Sequence, residues 1–343
     1  MRILFVGGFY RGHLLAKRLL ERGENVVGAF VFREDAHETV QFNEQIASQF
    51  AAHNIWTKVT RKISASDVSM ISERFAPDVI FCLGWRTLIP TDVLQSAPRG
   101  GVAVHDSLLP RLRGFAPTNW GLILGHDQLG ATLFQLADSV DAGDVYFQCA
   151  ITPAPHESYE SIQDRIAQAS VELFDSYLDA ARDGTLRGVP QDQTQATFTC
   201  ARGPADGEID WSASSLQIER SVRALGPPAP GAFTFLDGSP LVITQARQLT
   251  DPPAYEGRIP GRVVGRNVEP GTIDVLCGAG VLRIDRVHTA TGDSRPAAAV
   301  VASVRQTLGM NHSQEIIQLR ERLAAMENRL ACLEAPTRLA SAG

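Results

Sequence analysis

Residues 2–32 constrain the fold more than any other stretch. Arg2 to Gly7 is an apolar run of strand length, Gly12 to Arg22 places Leu15 and Leu19 on one helical face, and Asn25 to Phe32 is a second apolar strand. Strand, helix and strand in that order make a crossover, which joins parallel strands. A parallel sheet buries both faces under helices, so the chain has to open as a layered α/β sheet. The glycines fall at Gly7, Gly8 and Gly12, which departs from the dinucleotide-binding spacing and argues against a nicotinamide cofactor. Asp78 to Leu83 reads as a further buried strand, ending in Gly84-Trp85-Arg86-Thr87-Leu88-Ile89-Pro90.

Gly101 to Val104 reads as the end of another short apolar strand. His105 stands where that strand gives way to a proline-closed loop, Leu108-Leu109-Pro110, which cannot continue a ladder. Loops at strand ends are where open α/β sheets bind ligands. Arg111, Arg113 and Gly114 follow, and Pro117-Thr118-Asn119-Trp120 leads into a short helix with Pro117 in its first turn. Leu129 to Leu136 and Val145 to Ile151 read as two strands joined by the turn Asp141-Ala142-Gly143-Asp144. If that hairpin closes beside the strand carrying His105, the imidazole and Asp141 share one pocket. Taken singly, a histidine after a strand reads as a loop residue and an aspartate before Ala-Gly as a turn former. Their joint register says more than either.

HDSLLPRLRGFAPTNW at 105–120, followed by LGAT and DAGD, resembles the folate-dependent formyltransferases: methionyl-tRNA formyltransferase and the N-formyltransferases of nucleotide-linked amino sugars. The resemblance implies a Rossmann-like open sheet and a smaller β-rich, open-barrel-like C-terminal domain, to which the tail adds a C-terminal helix. It implies 10-formyltetrahydrofolate as donor and a primary amine as acceptor, without a metal. His105 matches the family histidine that stabilises the developing oxyanion and shuttles a proton, and Asp141 the aspartate that orients it and helps move the amine proton. Trp85, Arg86, Thr87, Leu88 and Ile89, with Asp138 and Val140, would line the donor site. Ser107, Arg113, Gly114, Asn119 and Trp120 would shape the acceptor side.

One position departs from the family. The asparagine expected two residues before the histidine is Ala103. Losing one oxyanion donor costs about 100- to 1000-fold in turnover. Either another group such as Asn119 or a backbone N–H replaces that amide, or the chain runs a related transfer, or it is a non-catalytic ligand-binding and assembly protein.

The 343 residues suggest two domains: a catalytic domain over 1–184, a polar linker over 185–206, a β-rich domain over 207–305 and a helical tail over 306–335. Glu157 to Gly184 reads as a long amphipathic helix closing the first domain, with Ser158 as N-cap. In the second, Asp237-Gly238 marks a hairpin and Gly261 to Arg266, Thr272 to Cys277 and Val281 to His288 read as strands. No basic leader or long apolar run suggests export or a membrane span, so a cytoplasmic enzyme is expected. Cys82, Cys149, Cys200, Cys277 and Cys332 form neither a zinc pattern nor a disulfide framework.

Charge bears on the acceptor. A surface that grips tRNA needs basic side chains, yet the chain carries net charge −6, and residues 205–305 hold ten Arg, no Lys and eleven Asp or Glu, 10 − 11 = −1. A small-molecule amine on a nucleotide-linked sugar is therefore expected rather than nucleic acid; a tRNA-directed or amino-acid-formylating enzyme is the alternative. In the tail, Ile316, Leu319, Leu323, Met326, Leu330 and Leu333 occupy a and d positions of a heptad, with Glu315, Arg322 and Arg329 at g and Arg320, Glu327 and Glu334 at e. A homodimer through this helix is expected, with the helix ending before Pro336.

Overall fold

The computed structural model describes residues 1–35, 40–227, 229–289, 292–310 and 312–339. The chain divides into two units, Met1–Gly203 and Pro204–Gly343. In the first, the order is β1 (Arg2–Gly7), α1 (Phe9–Glu21), β2 (Asn25–Phe32), α2 (Asn43–Ala52), β3 (Thr57–Thr60), α3 (Ala65–Ser69) with a π-helical turn at Met70–Phe75, and β4 (Val79–Leu83). Then come α4 (Thr91–Gln95), β5 (Gly101–His105), β6 (Arg113–Gly114), α5 (Pro117–Leu124), β7 (Leu129–Gln135), β8 (Val145–Ile151), α6 (Tyr159–Arg182) and β9 (Phe198–Thr199).

Seven of these strands form one sheet in the order β3-β2-β1-β4-β5-β7-β8. The five from β3 to β5 are parallel, whereas β7 runs antiparallel to both β5 and β8. The continuous apolar runs explain the parallel part: Ile3, Leu4, Phe5 and Val6 are all fully buried. α1 covers one face with Leu15, Ala16 and Leu19. α6 adds Ile162, Ile166, Leu173, Phe174 and Tyr177, and its N-cap Ser158 accepts the Ser161 amide.

α1 begins at Phe9, a turn earlier than the spacing of leucines suggests, because Gly8 in extended conformation lets the chain enter the helix against its neighbours. A Cβ on Gly8 would lie 2.6 Å from Phe32 Cβ. Glu34, just beyond β2, accepts the amides of Phe9, Phe42 and Asn43, so its carboxylate ties the starts of α1 and α2 together. A dinucleotide fold uses an acidic residue in this region for a ribose; here those oxygens serve the main chain.

The second unit contains α7 (Ser215–Ala224), β10 (Ala232–Leu236), β11 (Ser239–Gln248), β12 (Val263–Asn267), β13 (Thr272–Leu276), β14 (Val281–His288), β15 (Ser294–Pro296), α8 (Ala297–Val300) and α9 (His312–Leu339). Its sheet runs β10-β11-β14-β13-β12 with β15 on β14, antiparallel throughout. Asp237-Gly238 makes the β10–β11 turn, with φ of 50° and 77°. Trp211, Ile218, Val222, Ile243, Ile273 and Ile284 belong to its core. α9 is helical through Leu339, past Pro336, which corrects the expected stop. A single missing amide near the end of a 28-residue helix removes one internal bond without ending it.

Phe81 of β4 joins sheet to helix in the first unit, its ring centroid 4.6 Å from Phe174 and 5.5 Å from Tyr177 of α6. Phe81→Ala should lower unfolding stability by about 3–5 kcal/mol in urea melts, since it leaves a cavity among fully buried rings.

Candidate active site

β5 ends on His105 and β7 runs back beside it, so the ladder sets His105 opposite Thr132 and Ala103 opposite Phe134. Thr132 is fully buried and organises the loop that follows: its hydroxyl donates to the Ser107 carbonyl at 2.6 Å and accepts from the Leu109 amide at 3.0 Å. Gln148 of β8 donates to the Leu109 carbonyl at 2.8 Å. The loop therefore folds back over the strand it leaves, and the Leu112 carbonyl reaches the imidazole.

His105 is buried between two acceptors. Nε2 donates to the Leu112 carbonyl at 2.7 Å, and Nδ1 stands 3.4 Å from Asp141 Oδ2. A neutral imidazole can donate to only one of them; an imidazolium donates to both. The same Asp141 oxygen accepts the Gly114 amide at 2.8 Å. Asp141 holds φ at 48°, a conformation aspartate tolerates better than most residues. Two residues on, a Cβ at Gly143 would fall 1.8 Å from the Gln135 carbonyl, so only glycine fits the turn.

A second set of ties comes from residues 189–200. They were expected to form part of a polar linker, and instead they are bound along the His105 loop. β9 pairs with β6, Thr197 Oγ1 accepts the Leu112 amide at 2.9 Å, and the Trp120 indole donates to the Cys200 carbonyl at 2.9 Å. Gln191 is the hinge of this strap. Its Oε1 accepts Arg113 Nη2 at 2.6 Å and Nε at 3.2 Å, while its Nε2 donates to the Asp141 carbonyl at 2.8 Å and the Gly143 carbonyl at 2.7 Å. Gln193 accepts Arg113 Nη1 at 2.9 Å. A glutamine in a proline-bearing polar run has no periodic signal, so only its place directly after Pro190 could have drawn attention to it.

The residues expected to shape the acceptor side are placed unevenly. Gly114 touches Asp141, but Arg113 is buried on Gln191 and Gln193, and the Ser107 hydroxyl turns inward to the Arg111 carbonyl at 2.6 Å. Trp120 carries Arg202 4.8 Å above its ring. Asn119 is buried and bonds the Tyr159 side chain, whose hydroxyl is pushed up to about 12, first by burial and then by nearby Asp106. That places Asn119 in a polar cluster with Asp106, which takes Arg11 Nη1 at 2.7 Å.

Around the expected donor loop, Trp85 packs edge-on against Phe32 at 5.3 Å, and its indole N–H is buried with no partner among the described residues. Arg86 lies 4.0 Å over the Phe9 ring, Thr87 donates to the Arg61 carbonyl, Ile89 borders the core and Leu88 is 94% exposed. Asp138 and Val140 are exposed on the approach to the Asp141 turn. Ala103 sits in the packed cluster with Phe134 and with Cys82, its partner across the parallel ladder. Burial pushes the Cys82 thiol up to about 12 and keeps it neutral. Among the described residues, no group of three or more His, Cys, Asp or Glu could hold a metal ion.

Residues 1–178 match the family described as formyl transferase, and residues 203–305 match the formyl transferase C-terminal domain. This chain belongs to the formyl transferase family. Solved structures share its fold at low identity. HypX from Aquifex aeolicus in complex with tetrahydrofolic acid superposes with TM-score 0.56 at 18% identity, over 89% of this chain and 47% of that one, so this formyl transferase spans about half of HypX. The N-formyltransferase from Helicobacter canadensis, in complex with folinic acid and dTDP-3-aminofucose, gives 0.63 at 12% identity, over 82% and 97% of the two chains. WlaRD, a sugar 3N-formyl transferase, gives 0.62 at 11%, over 83% and 96%.

Gln191→Ala removes the acceptor of a buried guanidinium and the donor to two carbonyls of the Asp141 turn. It should cost this formyl transferase about 2–3 kcal/mol of stability, read by denaturant unfolding, and speed amide exchange at Gly114.

Proposed function

We propose that this formyl transferase moves the formyl group of 10-formyltetrahydrofolate to a primary amine carried by a nucleotide-linked sugar. The observation that carries the reading is the bracketed imidazole: His105 at the end of β5, with Asp141 at Nδ1 and a single carbonyl at Nε2. In the proposed reaction the neutral amine attacks the formyl carbon, the bond from that carbon to the folate nitrogen breaks, and the amine proton, taken up at the His105–Asp141 pair, is passed to the departing folate nitrogen. Charge gathers meanwhile on the formyl oxygen, and the Nε2–H of His105 would leave the Leu112 carbonyl to donate there.

We assign the donor to the loop from Trp85 to Ile89, together with Asp138 and Val140. A flat, amphipathic ring suits that loop, which combines a buried indole N–H without a partner among the described residues and the exposed apolar side chain of Leu88. The sugar reading of the acceptor rests first on charge. Arg247, Arg258, Arg262, Arg266, Arg283 and Arg286 of the second unit all donate to acceptors of that same unit, which leaves them poorly disposed to grip a nucleic-acid backbone. It rests second on likeness to two sugar-directed enzymes along nearly their whole length.

The test is a panel of nucleotide-linked amino sugars and, separately, initiator tRNA, each offered with the formyl-folate donor and read by a mass gain of one formyl group. A formylated sugar is expected; formylation of the tRNA alone would overturn the acceptor assignment. His105→Ala and Asp141→Asn should each lower kcat/KM by about 10²–10⁴-fold with the fold intact. Ala103→Asn, which restores the family amide, should lower stability by about 1–3 kcal/mol without raising kcat. The added atoms enter the packing of Cys82 and Phe134. A rise of tenfold or more would mean that the site lacks a donor it can accommodate.

A further inference from the structure

None of the described side chains of α9 is buried. Between Ile316 and Leu330, every side chain that is described is exposed; Ile316, Leu319, Leu323, Met326 and Leu330 are each half exposed or more. A surface helix covers an apolar stripe against its own subunit, and this one does not. The core of the second unit ends with Leu308, before the helix begins. Most helical stability in proteins comes from packing an apolar face against a partner.

We infer that the occupant of this face is α9 of a second copy of the chain, in a parallel two-stranded coiled coil. The spacing from Ile316 to Leu330 alternates three and four residues, the seam of a left-handed coil, with β-branched Ile316 at a and Leu319 at d at its start. The charges choose the orientation. In a parallel pair each g residue meets e of the partner five residues on, so Arg322 meets Glu327 twice, once on each side of the two-fold axis. By sequence Glu315 and Arg320, and Arg329 and Glu334, are opposite in sign at the same spacing; the side chains of Glu315, Leu333 and Glu334 lie outside those described. An antiparallel pair centred on the same segment would bring Arg322 against Arg322 and Glu327 against Glu327. The parallel arrangement removes both clashes.

The full chain, followed by sedimentation equilibrium over a range of concentrations, should be a dimer. Replacing two seam residues together, Leu323→Lys and Met326→Lys, should make it a monomer while near-ultraviolet circular dichroism of the two units is unchanged. Arg322→Glu alone and Glu327→Arg alone should each weaken association by about tenfold, because two attractive pairs become repulsive, and the double exchange should restore it. A full chain that is monomeric throughout, or a dimer indifferent to the seam substitutions, overturns the inference. Single reversals with no effect, as an antiparallel pair would give, overturn it as well.

Discussion

The bond from the Gly114 amide to Asp141 Oδ2 is the one on which the arrangement of the site rests. It joins two segments that the main sheet does not pair: β6, which follows the loop leaving β5, and the turn between β7 and β8. The sheet brings His105 and the hairpin side by side, but a sheet fixes only Cα positions along its ladders. Where the Asp141 carboxylate points is decided beyond the ladder, and there the main-chain N–H of Gly114 aims one oxygen at His105 Nδ1. Gln191 repeats the tie at the level of the backbone, holding the Asp141 and Gly143 carbonyls while Arg113 holds Gln191. The imidazole is therefore enclosed by a circuit of hydrogen bonds in which each member is oriented by another. Such circuits fix geometry more tightly than their separate bonds suggest.

Much of this was legible in the sequence, and the reason is periodicity. The apolar runs at 2–7, 25–32, 78–83 and 101–104 each became a strand of the large sheet, and the stripe Ile162, Ile166, Leu173 and Tyr177 became the buried face of α6. The turn Asp141 to Asp144 was readable because its residues have the backbone freedom a tight turn requires. What could not be read is carried by side chains whose partners are remote. Gln191 lies fifty residues from the Asp141 carbonyl it holds. Nothing local separates it from a solvated linker glutamine, because hydrogen bonds leave no repeat in sequence. The same holds for Arg113, which carries a charge yet is 3% exposed on two neutral amides. An arginine beside a candidate site loop invites assignment to substrate, whereas here its planar donors are occupied in keeping the loop and the strap together.

The departure at Ala103 has its consequence at the imidazole. An enzyme with two donors at the formyl oxygen can divide the developing charge between an amide and a histidine. Here the position two residues before His105 faces Cys82, whose thiol is a weak donor kept neutral by burial, and Asn119 is engaged with Tyr159. In the proposed reaction this would make His105 the side chain that donates to the formyl oxygen. A charged donor makes a hydrogen bond about twice as strong as a neutral one, so in the proposed reaction the imidazole, once it has taken up the amine proton, would compensate part of a missing amide if its charge is balanced. Asp141 supplies that balance at 3.4 Å, and Leu112 keeps the outer N–H occupied by a carbonyl. In the proposed reaction the Leu112 bond would then set a threshold: only an oxygen that gathers more charge than a peptide carbonyl competes for the proton. That condition is met at the transition state of acyl transfer and much less by an unreacted formyl group.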